Sequence, residues 1–135
     1  MLALAFVGVA SASTGSHFRG ETKQGFTVTF RTTAKSEVGF KTSVSALCVS
    51  IASGRSHLYI YPVLLQPPHK LASRQFKITF TAESSTHITI TGSVKAGSAS
   101  GSIDVRDTKT LGATSTRMLD IGACSGKTIW TARKV

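Results

Sequence analysis

Apolar and polar residues alternate along several segments of this chain with a repeat of two residues. The clearest cases are Phe26–Phe30 and Phe76–Phe80, and the same alternation runs through His87–Thr91 and Ser102–Arg106. A period of two places alternate side chains on opposite sides of an extended chain, as in a strand with one buried face. The pattern therefore predicts four β-strands. Their inward residues, with Trp130, form the predicted core: Phe26, Val28, Phe30, Phe76, Ile78, Phe80, Ile88, Ile90, Ile103, Val105 and Trp130.

Further segments are apolar but less regular. Residues 38–51 carry apolar side chains on both sides, which predicts a strand covered on both faces or a strand with a β-bulge. Leu58–Tyr61 is a short apolar run before Pro62, and Thr128–Ala132 is a predicted final strand. Leu111–Ile121 fits a loop, a short helix or an edge strand.

Turn signals separate these segments. Gln66–His69 contains two consecutive prolines, which a central strand does not tolerate, so we expect a loop there. Lys95–Ser100 is rich in small residues and predicts a hairpin turn between antiparallel strands. No segment has the composition of a long amphipathic helix. Short strands at close spacing predict an all-β fold, an antiparallel β-sandwich or flattened barrel of about seven to nine strands.

The N-terminus has the features of a secretory signal. About eight to ten apolar residues, with no basic residue before them, lead into the small residues Ala10, Ser11 and Ala12. We expect residues 1–12 to be cleaved and residues 13–135 to form a single domain, secreted or in the cell envelope. The stretch is shorter than the roughly 20 apolar residues of a membrane-spanning helix, and no other segment predicts a span.

The chain has two cysteines. Small exported domains commonly form disulfides, so the compartment argument predicts a bond between Cys48 and Cys124. Cys48 lies in an apolar run, whereas Cys124 lies in the turn-like stretch Gly122–Gly126. In a cytosolic protein both would be thiols, and Cys48 would be a small buried apolar residue.

The end of the chain resembles a loose group of uncharacterised exported bacterial β-sandwich proteins. The resemblance lies in the segment Gly122-Ala-Cys-Ser-Gly-Lys-Thr-Ile-Trp-Thr-Ala-Arg133, with parallels in Phe18–Gly25 and in the Gly92–Gly101 hairpin. It implies export and the disulfide, and it implies no activity.

The charge of the chain is strongly basic, with 16 Lys and Arg against 6 Asp and Glu, a formal net charge of +10. Such a charge favours anionic partners. Outward residues of the predicted strands supply a candidate basic face comprising Arg31, Lys77, Lys95 and Arg106. Export would disfavour nucleic acid as the partner, and no aromatic residues are interleaved with these cations. We therefore expect adhesion to an anionic envelope polymer or glycan, or to an anionic surface.

An alternative binding site involves two tyrosines. Tyr59 and Tyr61 share one side of their segment, so they could form an exposed platform for a glycan or small ligand. Packing in or beside the sheet is the other interpretation of the same spacing.

Signals for catalysis and metal binding are weak. His17, His57, His69 and His87 show no zinc-site spacing. The serines lack a Gly-x-Ser-x-Gly elbow, and the few acidic residues fall mostly at strand ends or in turns. The sequence therefore predicts a non-catalytic protein without a metal or other cofactor, and a hydrolase is the less favoured alternative.

Overall fold

The computed structural model describes residues 15–33, 36–71, 73–83, 85–113 and 119–135, so the predicted signal segment 1–12 lies outside the described residues. Every regular element in this part of the chain is a β-strand. None of these residues forms a helix with the length and apolarity to cross a membrane. The strands are β1 (Ser16–Thr22), β2 (Thr27–Thr32), β3 (Glu37–Ser50), β4 (Ser56–Lys70), β5 (Gln75–Ala82), β6 (Thr86–Val94), β7 (Ser98–Ala113) and β8 (Leu119–Lys134).

The strands form one antiparallel sheet in the order β4-β3-β2-β1-β8-β7-β6-β5. Two four-stranded meanders, β1 to β4 and β5 to β8, are joined where β1 pairs with β8. A second contact between β3 and β8 closes β8, β1, β2 and β3 into a small ring. The prediction of an all-β antiparallel sandwich or flattened barrel is therefore confirmed.

Ring closure depends on a change of partner along β3. Its first part pairs with β2 as far as Lys41, and its last part pairs with β8 from Leu47 onward. In the gap, the Gln24 side chain takes the place of a neighbouring strand. Its Nε2 donates to the Ser45 carbonyl at 3.0 Å, and its Oε1 accepts from the Ser45 N–H at 2.8 Å. These bonds give protein partners to backbone groups of β3 that would otherwise face solvent.

The predicted disulfide is confirmed and lies at this closure. Cys48 on β3 and Cys124 on β8 are directly opposite in the ladder, and both are buried. The bond therefore joins the two meanders covalently in the core. Cys124 is in a strand rather than in the turn expected from its glycine neighbours, because Gly122–Ser125 pairs with β3.

The core forms where the inner faces of the two meanders meet. Phe30 on β2 stacks on Phe76 on β5 with ring centroids 5.9 Å apart and also contacts Trp130 at 5.8 Å. The Trp130 Nε1–H donates to the Thr91 carbonyl at 3.3 Å. Most of the predicted core residues are buried. Those of β5 and Phe26 are only partly covered: Phe26, Phe76, Ile78 and Phe80.

Two local predictions require correction. Gln66–His69, predicted to be a loop, is part of β4, but the pairing skips there from Phe40–Leu65 to Val38–His69. This irregularity and the position of β4 at the sheet edge accommodate the two prolines. In addition, strand β1 was missed in the sequence analysis. Phe18 is the one large apolar residue in β1, so this strand lacks the alternating pattern.

Candidate functional site: a basic band across four strands

The four cations of the predicted basic face do not form one surface. β2 and β5 are far apart in the strand order, and their inner faces pack against each other through Phe30 and Phe76. Arg31 and Lys77, which point outward from these strands, therefore lie on opposite sides of the molecule. Arg106 is on the same outer face as Lys77, two strands away, because β6 separates β5 from β7.

A different set of cations is brought together on the outer face of β8, β1, β2 and β3. Arg133 is directly opposite Arg19 in the β1–β8 ladder, and Arg19 is opposite Thr29, which is opposite Lys41. With Arg31, next along β2, these cations form what we call the basic band: Arg19, Arg31, Lys41 and Arg133. All four are exposed. At strand spacings of about 4.8 Å, the row from Arg133 to Lys41 spans roughly 15 Å.

The position of Arg31 depends on the glycine beside it. Gly39 is its cross-strand partner on β3, and a Cβ at Gly39 would lie 2.8 Å from Arg31 Nε and 3.1 Å from its Cγ. The absence of a side chain therefore lets the Arg31 stem lie flat across the sheet. His17 is its partner on the opposite side, in β1.

Two cavities flank the band and share Arg19. One, of about 400 Å³, is lined by Arg19, Arg31 and Lys41 among others. The other, of about 600 Å³, is lined by Arg19, Arg133 and the acidic Glu21, together with small residues of β7 and β8. A polymer lying across the strands would meet Arg133, Arg19 and Lys41 in sequence, with Arg31 beside this row.

The cations of the band outnumber the nearby acidic residues, of which Glu21 lines the same cavity as Arg19 and Arg133. Among the described residues, no carboxylate oxygen lies within 4.0 Å of its four cations, whereas Arg106 pairs with Asp104 at 3.5 Å. Like charges directly opposite in a ladder destabilise a sheet by a few tenths of a kcal/mol or more. The Arg19–Arg133 pair is therefore not explained by stability, and a bound anion would relieve its repulsion.

The predicted tyrosine platform is wrong in orientation. Tyr61 is only 8% exposed, and Tyr59 is half-buried and packs against the core, because these residues occupy the inward positions of β4. The Tyr61 hydroxyl donates to Asp107 Oδ2 at 2.8 Å and lies 3.9 Å from Cys48 Sγ. The hydrogen bond between Tyr61 and Asp107 therefore links β4 to β7 inside the protein, beside the disulfide.

This environment shifts both pKa values. Burial raises the pKa of the Tyr61 hydroxyl above its ordinary value, and the hydrogen bond to Asp107 raises it further. For Asp107, burial acts to raise the pKa, but hydrogen bonds from Ser85 and Tyr61 and from the Thr108 backbone outweigh it, so the pKa is lowered. The arrangement stabilises a neutral phenol next to a carboxylate, which suits a structural hydrogen bond.

No metal-binding cluster of three or more His, Cys, Asp or Glu occurs within the part of the chain that the structure describes. Comparison with protein-family models, with curated proteins and with solved structures finds no match to the chain. The surface itself therefore carries the functional argument.

Sequence reasoning identified one member of the band, Arg31, and missed the other three. Lys95, which was predicted to belong to the basic face, lies in a turn. Its backbone N–H donates to the carbonyl oxygen of Ser98, the residue that pairs with Arg133 in the β7–β8 ladder. The available signal was local: Arg19 follows inward Phe18, and Arg133 follows inward Ala132, so both point outward. Their proximity depends on the pairing of β1 with β8, which no local pattern indicates.

Proposed function

We propose that this chain is an exported, non-catalytic protein that binds anionic polymers or anionic surfaces through the basic band. The observation that carries the proposal is the row Arg133–Arg19–Lys41, in which β8, β1 and β3 present exposed cations that have no ion-pair partner among the described residues. The net charge of +10 supports it by favouring encounter with polyanions. The disulfide supports an extracytoplasmic location, since such bonds persist in oxidising compartments.

The binding mode follows from the spacing of the charges. Neighbouring cations on the row are roughly 5 to 10 Å apart, a range in which a flexible polymer with repeated sulfate or phosphate groups can contact several at once. Arg contributes bidentate hydrogen bonds to such groups, and Lys contributes a compact charge. The ligand class is therefore a polyanion recognised by its charge density.

Titration with fluorescently labelled dextran sulfate tests this proposal. The variant Arg19→Gln/Arg133→Gln should bind about 25-fold more weakly, because each cation close to an anionic surface contributes about 1 kcal/mol, or fivefold. Binding should also weaken when NaCl is raised from about 50 to about 300 mM.

The matched control is Lys77→Gln/Arg106→Gln, which removes the same charge from the opposite side of the molecule. This variant should change affinity by less than about threefold, because Lys77 and Arg106 are far from the bound polymer and salt screens their interaction with it. Equal losses in the two double variants would mean that net charge alone drives binding, and the band would then have no special role.

A further inference from the structure

The outer face of the β3–β4 hairpin is covered by exposed aliphatic side chains. We call them the apolar patch: Leu47, Val49, Ile51, Leu58, Ile60 and Leu64. Leu58 is 73% exposed and Ile60 is 64% exposed. Leu47 is directly opposite Leu58, so the residues of the two strands form one continuous surface.

The patch is unusual because these strands are apolar on both faces. The inward side of β4 carries Tyr61, Val63 and Leu65, which are buried, while the outward side carries Leu58, Ile60 and Leu64. The outer face of β5 to β7 is instead rich in Thr and Ser. The patch exposes on the order of 600 Å² of residue surface, at the upper end of the roughly 300 to 600 Å² of the largest apolar patch on a typical monomer and somewhat below the roughly 800 Å² on one side of a standard interface.

The charge of the chain disfavours a second copy as the occupant of the patch, and Pro62 disfavours pairing of a second copy along the edge beside it. Pro62 has no N–H, and since β4 pairs regularly with β3 at this point, its nitrogen faces the free edge of β4 and blunts edge-to-edge pairing. The net charge of +10 on each copy also opposes close approach of two molecules.

The patch and the basic band are continuous. Leu64 is directly opposite Lys41, and Leu64 lines the same 400 Å³ cavity as Arg19 and Arg31. The molecule therefore presents a surface that is aliphatic at one end and cationic at the other. A bilayer with anionic lipids offers the complementary arrangement, with phosphates in the headgroup layer and acyl chains beneath.

We propose that the partner of this surface is an anionic lipid bilayer, with Leu58, Ile60 and neighbouring patch residues among the acyl chains and the basic band on the lipid phosphates. The proposal rests on the proposed function and specifies its partner. Burial of the patch adds apolar contacts that a sulfated or phosphorylated polymer cannot supply. Lipid binding should therefore resist salt better than polymer binding does.

Cosedimentation of the full chain with vesicles tests the proposal, using phosphatidylglycerol/phosphatidylcholine vesicles and pure phosphatidylcholine vesicles. The unmodified protein should prefer the anionic vesicles. Leu58→Ser/Ile60→Ser should weaken binding to them at least tenfold but leave dextran sulfate binding unchanged. Ile60→Ser alone should also weaken vesicle binding, whereas its matched control Ile129→Ser should not, because Ile129 is 54% exposed on the outer face of β8, outside the patch.

Carbene footprinting on vesicles locates the contact independently of residues 1–12, which all variants share. Leu58–Leu64 should be protected and Ile129 should not. Retained dextran sulfate binding without vesicle binding or patch protection would overturn the lipid assignment alone. If the unmodified protein bound neither dextran sulfate nor vesicles, the proposed function would be overturned as well. A dimer in sedimentation velocity that Leu58→Ser/Ile60→Ser disrupts, without vesicle binding, would identify a second copy as the occupant and refute the proposal.

Discussion

Removal of the disulfide by Cys48→Ala/Cys124→Ala should cost a large part of the stability of this protein. The two residues are 76 positions apart in sequence, so the bond closes a long loop in the unfolded chain. In the chain-entropy relation, a loop of this length contributes about 4.5 kcal/mol, between the roughly 3 kcal/mol of a 15-residue loop and the roughly 4.7 kcal/mol of a 100-residue loop. A domain of this size has a free energy of unfolding of about 5 to 15 kcal/mol.

The corresponding change in melting temperature is large enough to measure easily. For a domain of this length, each kcal/mol is equivalent to roughly 3 to 5 °C, so we expect Tm to fall by about 14 to 22 °C. The urea m-value should rise, because the unfolded chain without the cross-link exposes more surface.

Urea unfolding followed by Trp130 fluorescence measures the effect, since Trp130 is buried at the centre of the core. The wild-type protein in a phosphine reductant is the matched control, because it keeps both sulfur atoms but lacks the bond. Agreement between the reduced wild type and the alanine variant would assign the loss to the cross-link rather than to packing of the sulfurs. A loss below about 1 kcal/mol would refute the reasoning, because the restriction that the bond places on the unfolded chain would then contribute little to net stability.

Two further predictions concern stability. Gln24→Ala should lower the free energy of unfolding by about 1 to 2 kcal/mol in urea titrations, because both hydrogen bonds to the Ser45 backbone are lost; exposed Gln66→Ala is the control, and equal losses would contradict the bridging role of Gln24. Stability measured against pH should fall at both extremes. The lowered pKa of Asp107 contributes stability above its unfolded value of 3.8 that is lost as acid protonates it. The raised pKa of Tyr61 contributes stability below 10.0 that is lost at higher pH. Tyr61→Phe should abolish the alkaline loss, and an unchanged alkaline limb would refute its assignment to this hydroxyl.

The alternation of side chains was sufficient to predict the strands whose two faces differ. Phe76–Phe80 and His87–Thr91 lie within β5 and β6, because apolar residues on one side and Thr or Lys on the other leave a single way to bury them. Extension of these strands beyond the predicted limits depends on pairing with neighbours, as in the long ladder between β7 and β8. Backbone pairing of this kind does not require an apolar pattern.

The orientation of β4 could not be predicted from its own residues. Leu58 and Ile60 are as apolar as Tyr59 and Tyr61, so period two leaves two equivalent choices of buried face. Tertiary contacts decide between them: the Tyr61 hydroxyl reaches Asp107 on β7, and its ring joins the core. Packing buries the tyrosine face of β4 and leaves the face with Leu58 and Ile60 exposed. The buried tyrosines and the apolar patch therefore have the same cause.

The basic band could not be predicted because it is a property of strand order. Arg19 and Arg133 are more than a hundred residues apart, and they become neighbours only when β1 and β8 pair. Local alternation shows that each points outward, which was sufficient for Arg31 alone. Bringing two such distant segments together has an entropic cost, which is offset here by the pairing of β1 with β8. Local sequence patterns reveal neither the cost nor the pairing.

The position of the disulfide connects the fold with both proposed surfaces. Cys48 lies between Leu47 and Val49 of the apolar patch, and Cys124 lies on β8, the strand that carries Arg133. The bond thus fixes the patch-bearing strand against a strand that carries part of the basic band. A surface that must engage phosphates and acyl chains together depends on the relative placement of its two ends, because each extra degree of freedom would be lost on binding. Anchoring β3 to β8 therefore serves the proposed interface as well as the stability of the ring.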